Sequence, residues 1–168
     1  ITGGEIIGTV NADNANESVI TLTSADLIVD GNAHIVDQSA SSSQNRYAIS
    51  AIGGVSVTMN DGRIESTNNT AVYINRLGSS GLQKDHAKFE MTGGTIKGGE
   101  YGLKHTHLNE VTLSGGKISG GENRPDVYMA LEKNSVSGTA KFTVEGNFPF
   151  ASMKIESASK INEIDFTK

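Results

Sequence analysis

The chain has 168 residues, of which 36% are hydrophobic and 20% charged, with 20 Gly, no Cys and a formal net charge of −5. This length fits one domain with a real core, and the lack of Cys excludes a disulfide scaffold, a Cys-ligated zinc site and a thiol nucleophile. The negative charge, without a Lys/Arg cluster, argues against a nucleic-acid partner. No apolar run reaches the roughly 20 residues of a membrane-spanning helix, so we expect no membrane insertion.

A repeated phrase begins at the N-terminus and recurs along the chain. Each copy alternates apolar and polar residues, turns at a pair that contains Gly, and continues as polar–Ile–polar. The copies are residues 1–7, 27–36, 57–65, 89–97 and 111–119, with weaker ones at 136–141 and 155–161. Alternation predicts strands with one face buried, and Gly permits the positive φ of a sharp bend.

A second, shorter apolar element lies between these copies, each time after a polar corner. It occupies residues 19–22, 47–52, 71–74, 101–106 and 127–131. One unit of the repeat is therefore strand, bend, strand, corner, strand, corner. The predicted inward residues of the long phrase are Val57, Met59, Ile64, Phe89, Met91, Ile96, Val111, Leu113 and Ile118.

The intervals between copies fit a solenoid whose coils have roughly 22 residues each, with loops inserted at corners. Met91, Leu113 and Val136 follow one another at nearly equal intervals of this length. Longer intervals upstream are explained by polar insertions at residues 11–18, 39–46 and 76–86. We therefore predict an all-β fold, a single right-handed parallel β-helix, with its handedness taken from the general rule for parallel crossover connections.

The phrases MTGGTIKGG and LSGGKISGG, each followed by a short apolar strand, carry a family resemblance. The chain resembles right-handed parallel β-helix proteins, pectate-lyase-like in the broad sense, and among them Gly-rich bacterial surface proteins and autotransporter passenger domains. The resemblance implies the fold and a location outside the cell, and it implies no activity.

The ends of the chain carry two further expectations. The chain starts in the middle of a phrase, so we expect residues 1–168 to be one domain from a longer protein with flanking domains. Residues 141–168 are poor in Gly and hold four of the five Phe. They are predicted to form an irregular final coil or a cap, because the end of a solenoid needs covering.

Four tyrosines are the main candidates for ligand contact, because each lies at or beside the second strand of a coil. They are Tyr47, Tyr73, Tyr101 and Tyr128. On one side of a solenoid they would form a platform on which sugar rings stack. Strict alternation points Tyr73 and Tyr128 outward but Tyr47 and Tyr101 inward. Arg46 and Arg76, beside the two largest insertions, are added because loops often carry function.

Enzymatic chemistry has weaker support. Stacked coils place Arg63, Thr95 and Lys117 at one outward position and Glu65, Lys97 and Ser119 at another. No outward position therefore carries acidic residues on successive coils, which the site of a polysaccharide lyase or hydrolase needs. Arg63 with Asp61 and Glu65 is the least unfavourable such site. His105 and His107 form an HxH pair, for which His86 and Glu132 are the available third ligands. No catalytic, cofactor-binding or metal-ligating residue is predicted.

The functional expectation is a non-enzymatic bacterial β-helix at the cell surface or outside the cell, as part of an adhesin or similar protein. Its partners would be glycans or surface proteins of host or bacterium. Two alternatives stay open: a lyase or glycoside hydrolase acting on acidic polysaccharide, and a purely structural spacer or fibre segment.

Overall fold

The structure is a computed structural model that describes residues 1–9, 17–40, 46–75, 86–106, 109–131, 140–146, 148, 153–157 and 164–165. These residues hold seventeen β-strands and no helix. No part of them could therefore cross a membrane as a helix.

The strands form three sheets. The first sheet contains β1 (Glu5–Gly8), β4 (His34–Asp37), β7 (Arg63–Ser66), β10 (Thr95–Gly98) and β13 (Lys117–Ser119). The second contains β2 (Ser18–Leu22), β5 (Tyr47–Ile52), β8 (Thr70–Asn75), β11 (Leu103–Thr106), β14 (Val127–Leu131) and β16 (Met153–Ser157). The third contains β3 (Leu27–Val29), β6 (Ser56–Met59), β9 (Lys88–Met91), β12 (Glu110–Leu113), β15 (Ala140–Val144) and β17 (Ile164–Asp165).

The order of the strands makes the chain a solenoid. From β1 to β12 the chain visits the first, second and third sheets in turn, and each strand pairs in parallel with its equivalent one coil later. Each coil therefore buries its inward side chains against those of the next. This confirms the predicted all-β parallel β-helix.

The core is a set of ladders of like residues. In the first sheet, Ile35, Ile64, Ile96 and Ile118 stack in register and are at most 1% exposed. In the third sheet, Val57, Phe89 and Val111 form one buried ladder, which continues to Phe142. Complete burial of such a side chain contributes about 1.5–3 kcal/mol. The inward positions predicted in the long phrase are all confirmed.

The predicted spacing holds through β12 and then fails. Thr95 pairs with Lys117, its equivalent in the next copy of the phrase, as expected. Leu113, however, pairs with Val144 and not with Val136. The weak copy at 136–141 was therefore the wrong equivalent, because the chain between β14 and β15 is longer than the repeat allows. That connection, residues 132–139, lies outside the described residues.

The two positions of a bend require glycine for different physical reasons. Gly116 has a φ of 90°, which L side chains rarely adopt. Gly115 needs no positive φ, but a Cβ there would collide with the carbonyl oxygen of Thr92 on the preceding coil. The first glycine therefore permits close stacking of coils, and the second permits the turn.

The described part of 141–168 continues the ladders: β15 and β17 extend the third sheet, and β16 extends the second. A cap formed by this region stays a prediction.

Candidate functional site

The outer surface of the second sheet carries an alternation of tyrosine and lysine. Tyr73, Lys104, Tyr128 and Lys154 occupy one register position on four successive strands, β8, β11, β14 and β16. Buried neighbours flank Tyr73 on both sides in sequence, Val72 and Ile74, so its side chain faces outward.

Tyr47, the first residue of β5, and Tyr101, two residues before β11, also join this surface. Ala48 and Ile49 are consecutive residues, and both are completely buried. In the equivalent place on a later coil, a Cβ on Gly102 would touch the buried side chain of Ile118. Two consecutive residues therefore face inward near the start of each strand. This shifts the alternation by one residue, so the preceding tyrosine faces outward. The inward orientation predicted for Tyr47 and Tyr101 was wrong.

The four tyrosine rings pair across neighbouring coils. The ring centroids of Tyr47 and Tyr73 are 4.3 Å apart at an interplanar angle of 19°, and those of Tyr101 and Tyr128 are 4.6 Å apart at 11°. The Nζ of Lys104 lies 5.5 Å from the centroid of Tyr73, and the Nζ of Lys154 lies 5.9 Å from that of Tyr128. We call these six residues the tyrosine–lysine face.

The face consists of one unit, Tyr–Tyr–Lys, that occurs twice. Strand β8 lies between β5 and β11, so Tyr47 and Lys104 cover opposite sides of the Tyr73 ring. Tyr101 and Lys154 enclose Tyr128 in the same way. With strands about 4.8 Å apart, the second unit follows the first at about 10 Å along the solenoid.

Tyr47 is the most deeply placed of the four, at 5% exposed. Burial raises the pKa of its hydroxyl far above the usual range, with smaller contributions from Tyr73 and from the Glu100 carboxylate. The hydroxyl therefore stays neutral throughout the physiological pH range, and Tyr47 acts as support for Tyr73 more than as a surface group.

The structure describes one of the two arginines that were predicted to contact a ligand. Arg46 is 1% exposed, which removes its guanidinium from the surface and does not favour contact with a ligand. Arg76 lies outside the described residues, as do most of the insertions at 11–18, 39–46 and 76–86. A role for any of the six predicted contact residues stays a prediction.

The outer surface of the first sheet carries a different arrangement, a chain of opposite charges across three coils. His34 Nδ1 lies 2.9 Å from Glu5 Oε1, and His34 Nε2 lies 3.1 Å from Glu65 Oε2. The other oxygen of Glu65 accepts a hydrogen bond from Arg63 Nη2 at 2.5 Å. His34 thus lies between two carboxylates on neighbouring coils, with one ring nitrogen facing each. We call these four residues the sheet 1 charge chain.

The electrostatics of the sheet 1 charge chain favour the ionised form of Glu65. Burial alone would raise the pKa of the Glu65 carboxyl, but hydrogen bonds from Arg63 and His34, together with their positive charges, lower it below its usual range. A groove of about 490 Å³ lies beside the sheet 1 charge chain. The residues that line it include His34, Arg63, Asn32, Asp61 and Thr95.

The structure describes one of the two histidines of the HxH pair. His105 is completely buried in an inward position between Ile74 and Met129, and its Nε2 bonds to the carbonyl oxygen of Asn109 at 2.9 Å. His107 and Glu132 lie outside the described residues. Among the residues that are described, no group of three or more His, Asp or Glu is placed to hold a metal ion.

Four residues of these surfaces were not singled out from the sequence: Glu5, His34, Lys104 and Lys154. The signal for His34 was present, since aligning the copy at 27–36 on the copy at 57–65 places it level with Arg63. Lys104 and Lys154 lacked such a signal, because the short second strand varies from coil to coil.

Comparisons of the chain with protein-family models, with curated proteins and with solved structures found no match. The fold and the geometry of the two outer surfaces are therefore the basis for any functional conclusion.

Proposed function

We propose that this chain is a non-enzymatic, extracellular β-helix segment of a bacterial surface protein, and that its tyrosine–lysine face contacts a glycan or protein ligand. The observation that carries the proposal is the repetition of the Tyr–Tyr–Lys unit two coils apart on one outer surface. A repeated contact unit suits an extended ligand better than a compact one.

The chemistry of the face supports a role in recognition. Tyrosine combines a large apolar ring with a polar hydroxyl, and it is enriched in protein interfaces. Pairing of the rings restricts their movement before any ligand arrives, so little conformational entropy is left to lose on binding. The parallel ladders beneath hold both units at a fixed separation.

The proposal is tested with a panel of immobilised neutral and acidic glycans and extracellular proteins, to which the 168-residue chain is applied. The double variant Tyr73→Thr/Tyr128→Thr keeps residues that suit strands but removes both enclosed rings. We expect it to lose at least tenfold in affinity for whatever the native chain binds.

The matched control is Glu90→Thr, an exposed position on the third sheet whose neighbours in register are Thr58 and Thr112. It should bind as the native chain does. Equal binding by the tyrosine variant would contradict the proposal, and no binding of the native chain to any member of the panel would favour a structural spacer.

A second candidate, an enzyme acting on acidic polysaccharide, is favoured by the sheet 1 charge chain and the groove beside it. Glycoside hydrolysis needs two carboxyl groups with the scissile bond between them. Here the imidazole of His34 fills the space between Glu5 and Glu65, so a substrate would first have to displace it.

The enzyme is tested by incubating the chain with uronate polymers, with and without Ca²⁺, and measuring unsaturated products and reducing ends. Activity that His34→Gln and Arg63→Gln abolish, and that the tyrosine variant retains, would replace the non-enzymatic proposal.

A further inference from the structure

We propose that Tyr101 and Tyr128 form a site of oxidative cross-linking, at which a one-electron oxidant joins their two rings as dityrosine. The new covalent bond ties two neighbouring coils of the solenoid together. The proposal is carried by the geometry of the ring pair, by the exposure of its members and by the residue types that the chain lacks. It needs no ligand, so it goes beyond the proposed function and does not depend on it.

The geometry of the ring pair is the first observation. The rings of Tyr101 and Tyr128 stack at a centroid distance of 4.6 Å and an interplanar angle of 11°. Tyr101 lies just before β11, and Tyr128 lies on β14, the neighbour of β11 in the second sheet. The parallel pairing of these strands therefore holds the two rings together before any reaction. Radicals formed on both rings meet without diffusion, which corresponds to a high effective concentration.

The second observation concerns the other groups that an oxidant attacks. The chain has no Cys and no Trp, whose side chains compete with tyrosine for one-electron oxidants. Of its four Met, three are completely buried: Met59, Met91 and Met129. Oxidation of a sulfur side chain follows its exposure, so burial protects these three. Oxidation is thereby directed to the four tyrosines, all of which belong to stacked pairs.

Exposure separates this pair from the other one. Tyr47 is 5% exposed, and burial raises the pKa of its hydroxyl far above the usual range. A phenol has to release its proton when it loses an electron, which disfavours the reaction at Tyr47. Tyr101 and Tyr128 are both half-buried, which leaves them more accessible to an oxidant and to water. A lysine lies over one ring of each pair at a similar distance, so positive charge does not distinguish the two pairs.

The reaction removes two electrons and two protons from the pair. Each phenol loses one electron to the oxidant and its hydroxyl proton to water, which leaves unpaired spin on the ring carbons ortho to the oxygen. One carbon–carbon bond then forms between an ortho carbon of each ring. The hydrogen on each of these carbons moves to the oxygen of its own ring and restores the aromatic system. Two ruthenium(III) ions accept the electrons and return to ruthenium(II), or one hydrogen peroxide becomes two waters in a haem peroxidase.

The test exposes the dilute, folded 168-residue chain to a small ruthenium(III) complex generated by light, followed by digestion with trypsin. Each tyrosine falls in a different tryptic peptide: 47–63, 64–76, 98–104 and 118–133. Mass spectrometry should find 98–104 joined to 118–133, lighter by two hydrogens than the separate peptides, in material that is monomeric on a denaturing gel. This product should exceed the one that joins 47–63 to 64–76 by at least about fivefold.

Two conservative variants separate the pairs. Tyr128→Phe keeps a ring of similar size for stacking but removes the phenol, and it should lower the dityrosine fluorescence of the monomer by at least about fivefold. The matched control Tyr47→Phe removes one phenol from the other pair and should change this fluorescence less than about twofold. Unfolding the native chain in urea before oxidation separates the rings and should lower the yield as Tyr128→Phe does. Circular dichroism establishes that each variant is folded.

The cross-link should also stabilise the solenoid, because it closes the stretch of chain between residues 101 and 128 and so restricts the unfolded state. We expect the thermal midpoint of the purified cross-linked monomer to lie at least about 5 °C above that of the untreated chain. Oxidised Tyr128→Phe is the control, since it carries every other oxidation product without this bond. An unchanged midpoint would contradict the idea that the bond ties the coils together.

The remaining outcomes decide the proposal without touching the proposed function. Cross-links found only between chains, equal yields from the two tyrosine pairs, or an undiminished yield from Tyr128→Phe overturn the cross-linking site. Ligand binding by the tyrosine–lysine face keeps its own test in each of these cases. A chain that binds no ligand but forms the predicted product overturns the proposed function and leaves the cross-linking site standing.

Discussion

The outer surfaces of the first and second sheets are built on the same coils but use their charges differently. On the first sheet, Glu5, His34, Glu65 and Arg63 satisfy one another across three coils. On the second sheet, Lys104 and Lys154 lie against paired tyrosines and share their register position with no acid on the described strands.

The difference separates a surface on which acidic and basic side chains contact one another from a surface on which lysines contact aromatic rings, for which binding is our proposal. Opposite charges in neighbouring coils compensate each other and add to the cohesion of the stack. The lysines of the second sheet instead contact tyrosine rings on neighbouring coils. Four changes test this distinction, beginning with the scaffold that both surfaces share.

The largest effect is expected from Gly115→Ala, which should lower the free energy of unfolding by about 3–4 kcal/mol and disturb both surfaces. The new Cβ meets the carbonyl oxygen of Thr92, which cannot move without displacing the preceding coil. Chemical denaturation measures the loss. Gly3→Ala is the control, since Gly3 has the same place in the repeat and its Cβ would meet nothing within 4 Å. Equal losses would refute close stacking as the cause.

The next effect concerns the corner that joins the two surfaces. Asp37 is 1% exposed and accepts hydrogen bonds from the backbone N of Ser39 at 3.0 Å, Ser66 Oγ at 2.8 Å and Asn69 Nδ2 at 3.2 Å. Ser39 Oγ donates to it as well. Asp37→Ala leaves these donors without their acceptor and should cost about 2–3 kcal/mol.

The control for that corner is Asp61→Ala, because the bond of Asp61 to the backbone N of Gly62 is exposed. Its cost should stay below about 0.5 kcal/mol in the same denaturation experiment. If Asp37→Ala lowered the free energy of unfolding by no more than Asp61→Ala does, the buried carboxylate of Asp37 would not be what stabilises this corner.

A smaller, pH-dependent effect is expected on the first sheet. Glu65→Gln should cost about 1 kcal/mol near neutral pH. The folded pKa of Glu65 lies below its unfolded value, so the contribution of the carboxylate is present above the unfolded pKa and is lost as pH falls through the folded one. The difference in unfolding free energy between native and variant chains should therefore shrink below about pH 4.

The control for the first sheet is Glu90→Gln at an exposed position of the third sheet. It should show a difference under about 0.5 kcal/mol at neutral pH. A pH-independent difference for Glu65→Gln would mean that its cost comes from packing and not from the charge chain.

The smallest effect on stability is expected on the second sheet. Lys104→Gln removes one cation–π contact and should cost about 0.5 kcal/mol, close to the effect of Lys97→Gln on the first sheet. Thermal unfolding of both variants measures this. A loss beyond about 1.5 kcal/mol for Lys104→Gln would mean that the lysine supports the fold, and the contrast between the two surfaces would disappear.

Much of the scaffold followed from local patterns in the sequence. Alternation identified the inward residues of the first and third sheets, because neighbours on an extended strand point to opposite faces whatever surrounds them. The pairs Gly93–Gly94 and Gly115–Gly116 marked the bends, and the equal interval between copies placed Thr95 level with Lys117. Such features depend on a few consecutive residues and on coils of equal length.

Both candidate surfaces depended on contacts that a local pattern does not contain. Two consecutive inward residues near the start of β5 and β11 turned Tyr47 and Tyr101 outward, where alternation alone had placed them inward. Insertions of unequal length decided which residues are level, so Leu113 pairs with Val144. Side-chain contacts across coils join His34 to both Glu5 and Glu65.

The sequence by itself therefore determined that this protein is a parallel β-helix and which residues of its long phrase fill the core. Only the tertiary structure decided how the tyrosines pair, which lysines cover them and which charges compensate one another. The physical reason is that strand and bend arise from neighbours along the chain, whereas the partners on a solenoid surface are set by hydrogen bonding and packing between coils.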